Sequence, residues 1–392
     1  MLKILFNDGL IFKTFENGKI REYGCDFYNN YIDSARRAAK NSEWKTQGSG
    51  ARFMGVYEES DINRENENFS YFNSLDFFKN NENIVYSITV DRVSGIFTKD
   101  LTAEKDSEGH IIHSAELTFN GASPSPDGRK IVTCIKDNYV NSHLAVYDVM
   151  TNDYVTVTDG DSADFDATIS ARDSSLIYFS SKGAGRNGNG EFVKYSPSSV
   201  FTYNIDSGDL EEILSENEKS LVKPKDDKNG NLYYILRPEK EKRRSFFGTL
   251  LDIILIPWKL FKALFNFIEL FTTMFTGKGF SEKSNNPAKT RDKSPKEIFI
   301  EDNLINANEE YKNNLRHKDK FAGIAPWSWQ LVKRDRSGNV THIKNGVIDY
   351  CVSDNGDIVY TNGKHVVLIG KDGKTQKIAD ANLCTKVSVC EN

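Results

Sequence analysis

The chain has 392 residues, 38% of them hydrophobic and 27% charged, and a net charge of −5. These values are ordinary for a folded protein with a large core, and the mild charge argues against a general nucleic-acid surface, so no nucleic-acid partner is expected. Five cysteines (Cys25, Cys134, Cys351, Cys384 and Cys390) show no CxxC or metal-ligand spacing; free thiols in a reducing cytoplasm are expected, and the opening MLKILFNDGL lacks the pattern of a cleaved export signal.

In chain order, the first segment is LKILFNDGLIFKTFENGKIREYG (2–24), three short runs separated by Asp-Gly and Asn-Gly, the strongest short-range hairpin signal. Residues 25–70 are the least regular stretch. Paired alternating runs then recur at 74–114, 121–158, 167–214 and 221–236, and the last full unit, VIDYCVSDNGDIVYTNGKHVVLIGKDGKTQKIA, covers 347–379. The turn between the first two strands falls near Asn81, Gly128, Ser175, Gly230 and Gly356, mostly about 45–55 residues apart. A period close to this with four strands per unit is the signature of a β-propeller blade. The C-terminal LCTKVSVCEN contains one further strand. The N-terminal segment matches strands two to four of a blade, so the two ends together make one complete unit and close the ring.

The turn in SPSPDGRKIVT, with Ser125–Gly128 as its best match, resembles the repeat of TolB-type, WD40-like (PD40) propellers, in which Ser-Pro-Asp-Gly joins the first two strands of a blade. The resemblance implies an all-β propeller and leaves function open. Counting the shared blade, 25–70, 71–114, 115–160, 161–216, 217–345 and 346–380 gives seven blades. The irregularity of 25–70 leaves six as the other count.

Blade six is interrupted. Its second strand is NLYYILRPEK, its third lies in WSWQLVKRDRSG (327–338) and its fourth in NVTHIKNG (339–346). This divides the chain into propeller (1–240), helical insertion (241–325) and propeller (326–392). The insertion begins with RRSFFGTLLDIILIPWKLFKALFNFIELFTTMFTGKGF (243–280). It continues as a Gly/Ser/Asn/Lys-rich linker (276–293), and SPKE at 294–297 then predicts a capped helix over 295–316. In the 243–280 stretch, Lys259, Lys262, Asn266, Glu269 and Thr273 follow helical spacing along one narrow polar stripe, and Pro257 predicts a kink. Phe246, Phe247, Leu250, Leu251, Ile254, Trp258, Phe261, Leu264, Phe265, Ile268 and Phe271 form a wide apolar face, flanked by Lys242, Arg243 and Arg244.

Between Lys240 and Lys296 there are 12 Lys/Arg against 5 Asp/Glu, a local charge of +7 that leaves −12 to the remainder. A single membrane crossing would separate strands that must pair, and two crossings need about 20 residues each. An amphipathic segment lying on an anionic lipid surface fits better, with a protein partner, self-association or packing onto the propeller as the other uses of the same face.

Candidate chemistry is sparse. GAGRNG (183–188) matches GxGxxG but lies between two strands, where a nucleotide loop needs a strand and a helix. Asp159, Asp161, Asp164 and Asp166 crowd one connection and are weak candidates for a metal, without the EF-hand pattern. His110 and His113, three apart on a strand, belong on opposite faces by alternation. No catalytic motif and no cofactor is expected. The expected function is a cytoplasmic, peripherally membrane-bound, non-enzymatic scaffold presenting its rims to protein partners. The alternative is a lactonase-like enzyme or small-ligand binder acting at the central channel.

Overall fold

The computed structural model describes residues 2–46, 70–103, 107–136, 138–239, 297–300 and 303–391. Three strands open the chain: β1 (Leu2–Asp8), β2 (Ile11–Glu16) and β3 (Lys19–Gly24), followed by helix α1 (Asp26–Thr46). Next come β4 (Ser70–Phe78), β5 (Asn80–Val90), β6 (Val93–Asp100) and β7 (Glu108–Ser114), then β8 (Thr118–Pro124), β9 (Lys130–Lys136), β10 (Ser142–Asp148) and β11 (Asp153–Thr156). After these are β12 (Ser162–Ile169), β13 (Leu176–Arg186), β14 (Phe192–Tyr195), β15 (Ser199–Asn204) and β16 (Leu210–Leu214). A further unit starts with β17 (Lys219–Asp226) and β18 (Leu232–Pro238). It is interrupted by β19 (Glu297–Ile300), β20 (Asn303–Asn306) and helix α2 (Ala307–Arg316), and ends with β21 (Gln330–Arg334) and β22 (Val340–Asn345). The last strands are β23 (Asp349–Val352), β24 (Ile358–Thr361), β25 (Gly363–Ile369), β26 (Thr375–Cys384) and β27 (Val387–Glu391).

Local chemistry accounts for these hairpins. Asn17 and Gly18 both take positive φ (52° and 74°), as a two-residue turn matching the twist of β2 and β3 requires. The Ser-Pro-Asp-Gly turn joins β8 to β9: Ser125 Oγ donates to Asp127 Oδ1 at 2.6 Å, and Gly128 takes φ 64°.

Among the described residues the strands form six four-stranded antiparallel units, with β14 as an extra strand paired to β13 and β19–β20 as a separate two-stranded hairpin. One unit has the order β27-β1-β2-β3, so the C-terminus supplies its first strand and the N-terminus the other three, as expected from the sequence. The seam runs from Leu2↔Glu391 to Phe6↔Val387. Just past it, Asn7 Oδ1 accepts from the amides of Thr385 and Lys386 at 2.9 and 2.8 Å. Asp8 Oδ1 accepts from Asn382 N at 2.7 Å and Leu383 N at 3.3 Å.

Two expectations are corrected. The blade expected at 25–70 has helix α1 in its first half, and 47–69 lie outside the described residues. The run SARRAAK is rich in helix formers, and Cys25–Gln47 contains neither Gly nor Pro. Its N-terminal amides are capped from outside the segment: Glu108 of β7 accepts from Asp26 N at 2.9 Å and Phe27 N at 2.6 Å. Phe27 stacks on Phe97 at 4.4 Å, which covers the flank of the β4–β7 unit.

The helix expected over 295–316 is shorter. β19 and β20 make a hairpin, and α2 starts after Asn306, whose side chain accepts from Glu309 N at 3.2 Å. Ile298, Phe299, Ile300 and Ile305 are strand formers. Burying Ile300 and Ile305 against Val222, Ile235, Trp329 and Leu331 outweighs the Ser-Pro-Lys-Glu start signal.

Candidate functional site

The first strand of each unit (β27, β4, β8, β12, β17 and β23) lies innermost, and each neighbours the next around the ring. Three of these strands carry the same irregularity. On β8, Gly121 and Ala122 together oppose Thr133; on β12, Asp166 and Ala167 oppose Phe179; on β17, Lys223 and Pro224 oppose Tyr234. The first residue of each bulge has positive φ: 103° at Gly121, 55° at Asp166 and 57° at Lys223. A side chain there costs roughly 1–2 kcal/mol in backbone energy, so the charged residues at the second and third bulges hold a strained conformation that their contacts must offset.

Those contacts converge at the centre. Lys223 Nζ lies 3.2 Å from Asp349 Oδ1 and 3.8 Å from Asp166 Oδ1. The backbone amide of Lys223 donates to Asp166 Oδ2 at 3.1 Å. Asp349 Oδ2 accepts from Val387 N at 2.9 Å, which links β23 to β27. Tyr350 Oη donates to the Lys223 carbonyl at 2.6 Å, and Lys225 Nζ donates to the Tyr350 carbonyl at 2.9 Å. On the opposite side Asp76 accepts from Ser388 Oγ and from Phe77 N. The cluster thus draws on β4, β12, β17, β23 and β27.

Asp76 on β4 and Lys225 on β17 are both half-buried on innermost strands. Burial pushes the Asp76 carboxyl up, and nearby Lys225 and Ser388 only partly oppose it. Burial would lower Lys225, but Asp349, Cys351 and Asp76 together hold its ammonium above the ordinary value. The Cys351 thiol, on the same wall, is pushed up by burial. Chemically the centre offers paired charges of both signs.

The sequence-expected sites fall elsewhere. The residues chosen from Lys242 to Phe271 lie outside the described residues. The four aspartates diverge: Asp159 is exposed, Asp161 pairs with Arg186, buried Asp164 accepts from Thr158 and Ser181, and Asp166 faces Lys223. Among the described residues, no three His, Cys, Asp or Glu are grouped to hold a metal. Gly183 and Gly185 of the GxGxxG match lie within β13, so the match is strand and hairpin.

The histidine expectation is overturned. Phe97 pairs with His110 but Ile96 with Ile112, which makes Ile111 an extra residue and turns His110 and His113 to one face. Their Nε2 and Nδ1 atoms lie 2.6 Å apart.

The central lysines and Asp349 were not singled out from the sequence. The available signal was positional: Asp166 and Lys223 occupy the place that Gly121 takes one or two units earlier.

The fold defines a β-propeller. No family model matches the chain, and no curated protein matches it in sequence. Among solved structures it is similar to TolB from Acinetobacter baumannii, with a TM-score of 0.51 and 10% identity, over 99% of this chain and 66% of that one. The chain therefore spans just under two thirds of that protein's length. A putative TolB from Agrobacterium tumefaciens is matched over 82% of this chain and 91% of that one, at 10% identity and a TM-score of 0.39. An oligogalacturonate lyase in complex with manganese is matched over 78% and 63%, at 10% identity and a TM-score of 0.39. The architecture is of the TolB type, and identity this low speaks to fold alone.

Proposed function

We propose that the protein is a non-enzymatic propeller scaffold, held on an anionic membrane surface by its 243–280 stretch and presenting its rims to a protein partner. The observation that carries this is the connectivity of the interrupted unit. The chain leaves at β18 and returns as the β19–β20 hairpin, whose Ile300 and Ile305 pack into the core of the same unit. β21 then pairs back onto β18 from Leu232↔Arg334 to Leu236↔Gln330. Both ends of the insertion are thus on one side of any bilayer, and the apolar, basic-flanked sequence between them fits the lipid interface. No helix of the described residues is long and apolar enough to cross a membrane.

Liposome co-sedimentation tests this reading, comparing the intact chain with one lacking 243–280 on anionic and on neutral vesicles. Binding by the intact chain to anionic vesicles alone, lost on deletion, is the expected outcome. Equal binding by both chains overturns it.

One observation favours a second reading, a small charged ligand in the central channel: Asp76, Lys225 and Cys351 keep accessible surface at the ring's centre. Thiol labelling tests it. In a Cys390→Ser background, Cys351 should react with a small charged methanethiosulfonate. A Cys351 that stays unreacted in the native protein sinks this second reading.

A further inference from the structure

The irregular pairing at Ile111 makes a feature of β7 that alternation forbids. His110 and His113 share one face, both are exposed, and their Nε2 and Nδ1 atoms face each other at 2.6 Å. We propose that this pair is a two-imidazole site for a divalent transition-metal ion of tetragonal preference, Cu²⁺ or Ni²⁺.

The geometry supports it as follows. At 2.6 Å the two facing nitrogens share one hydrogen bond, and a metal ion that displaces its proton would take the lone pairs of both. The rings rest on an aromatic floor: Phe97 lies 5.7 Å from His110, and Phe27 of α1 lies 6.5 Å from His113. Both histidines stand on a strand paired to β6, so their backbones are held in place while χ2 of each ring is broad enough to adjust.

Distance selects the metal. With metal–nitrogen bonds of about 2.0–2.1 Å, two imidazoles at a right angle lie about 2.9 Å apart, and at the tetrahedral angle about 3.3 Å. From 2.6 Å the pair must therefore open by about 0.3 Å for a square or octahedral ion and by about 0.7 Å for tetrahedral zinc.

Among the described residues no third metal-binding side chain completes a group of three. The nearest carboxylate along the strand, Glu108, is engaged by Asp26 N, Phe27 N and Lys99. The remaining coordination positions therefore fall to water or to a small incoming ligand.

The test uses the full chain and its His110→Asn, His113→Asn and His317→Asn variants. Calorimetric titration with Ni²⁺ should show one saturable site, at least about tenfold weaker in either β7 variant and unchanged in His317→Asn. The electron paramagnetic resonance spectrum of bound Cu²⁺ should show coupling to two imidazole nitrogens in the parent and to no more than one in either β7 variant. Both side chains are exposed, so the variants should keep the parent's thermal midpoint, and either substitution suffices if the other disturbs β7. Absence of saturable Ni²⁺ binding by the parent, or equal affinity in the β7 variants, overturns the proposal.

Discussion

Replacing Lys223 by Met tests whether the central ion cluster holds the ring together. The Lys223 side chain is 6% exposed and lies between Asp349, itself 6% exposed, and Asp166. Met keeps most of the apolar stem and the backbone strain, so the substitution isolates the charge. An exposed ion pair contributes at most about 1 kcal/mol, whereas removing one partner of a buried pair leaves an uncompensated charge and costs about 3–5 kcal/mol. The expected loss is therefore about 3–5 kcal/mol in urea unfolding, seen as a lower midpoint at unchanged slope. Lys223→Met combined with Asp349→Asn removes both charges, and Asn can still accept from Val387 N. The double variant should thus be at least about 1 kcal/mol more stable than the sum of the single losses implies. A single loss below about 1 kcal/mol, or strict additivity, would refute the reasoning, because either result makes the cluster energetically equivalent to a surface pair.

Three further outcomes are expected. Burial alone would raise the Asp8 carboxyl, but Lys13 at 2.9 Å and the amides of Asn382 and Leu383 more than offset it and hold it below its ordinary value of 3.8. Its contribution is therefore present above the unfolded carboxylate range and is lost as pH falls through the lower folded value; the protection factor of the Leu383 amide, taken against its intrinsic exchange rate at each pH, should fall over that acid window, and Asp8→Asn should abolish this pH dependence. Ile305→Ala should cost about 2–5 kcal/mol by opening a cavity under the β19–β20 hairpin, with limited proteolysis cutting first near 297–306; an unchanged digestion pattern would show that the hairpin does not depend on this contact. Asn314, fully buried, donates to the carbonyls of Gly323 and Ala325 at 2.8 and 2.9 Å, so Asn314→Ala should cost about 2–4 kcal/mol in chemical denaturation.

The repeat was legible in the sequence because each hairpin announces itself within a few residues. Asp-Gly and Asn-Gly turns between alternating runs specify local geometry without reference to the rest of the chain. The sharing of one unit between the two ends was legible for the same reason: three strands at one end and one at the other can be matched against a complete blade. Helix α1 was missed because its cap is not local. The Glu108 carboxylate reaches the amides of Asp26 and Phe27 from β7, about 80 residues on, while the Asp26 carboxylate at the helix start is paired with Lys99.

The same division separates the local turns from the chemistry at the centre and on β7. Alternation and turn residues depend on neighbours in sequence, so the propeller class and the strand order at the seam followed from the chain alone. The Asp166–Lys223–Asp349 cluster joins bulge residues of β12 and β17 to Asp349 of regular β23, 57 and 183 positions from Asp166. The His110–His113 contact depends on one extra residue against β6. A bulge reverses the faces that alternation assigns, and pairing across strands decides where it falls. Only the tertiary structure therefore determined which charged and imidazole side chains meet.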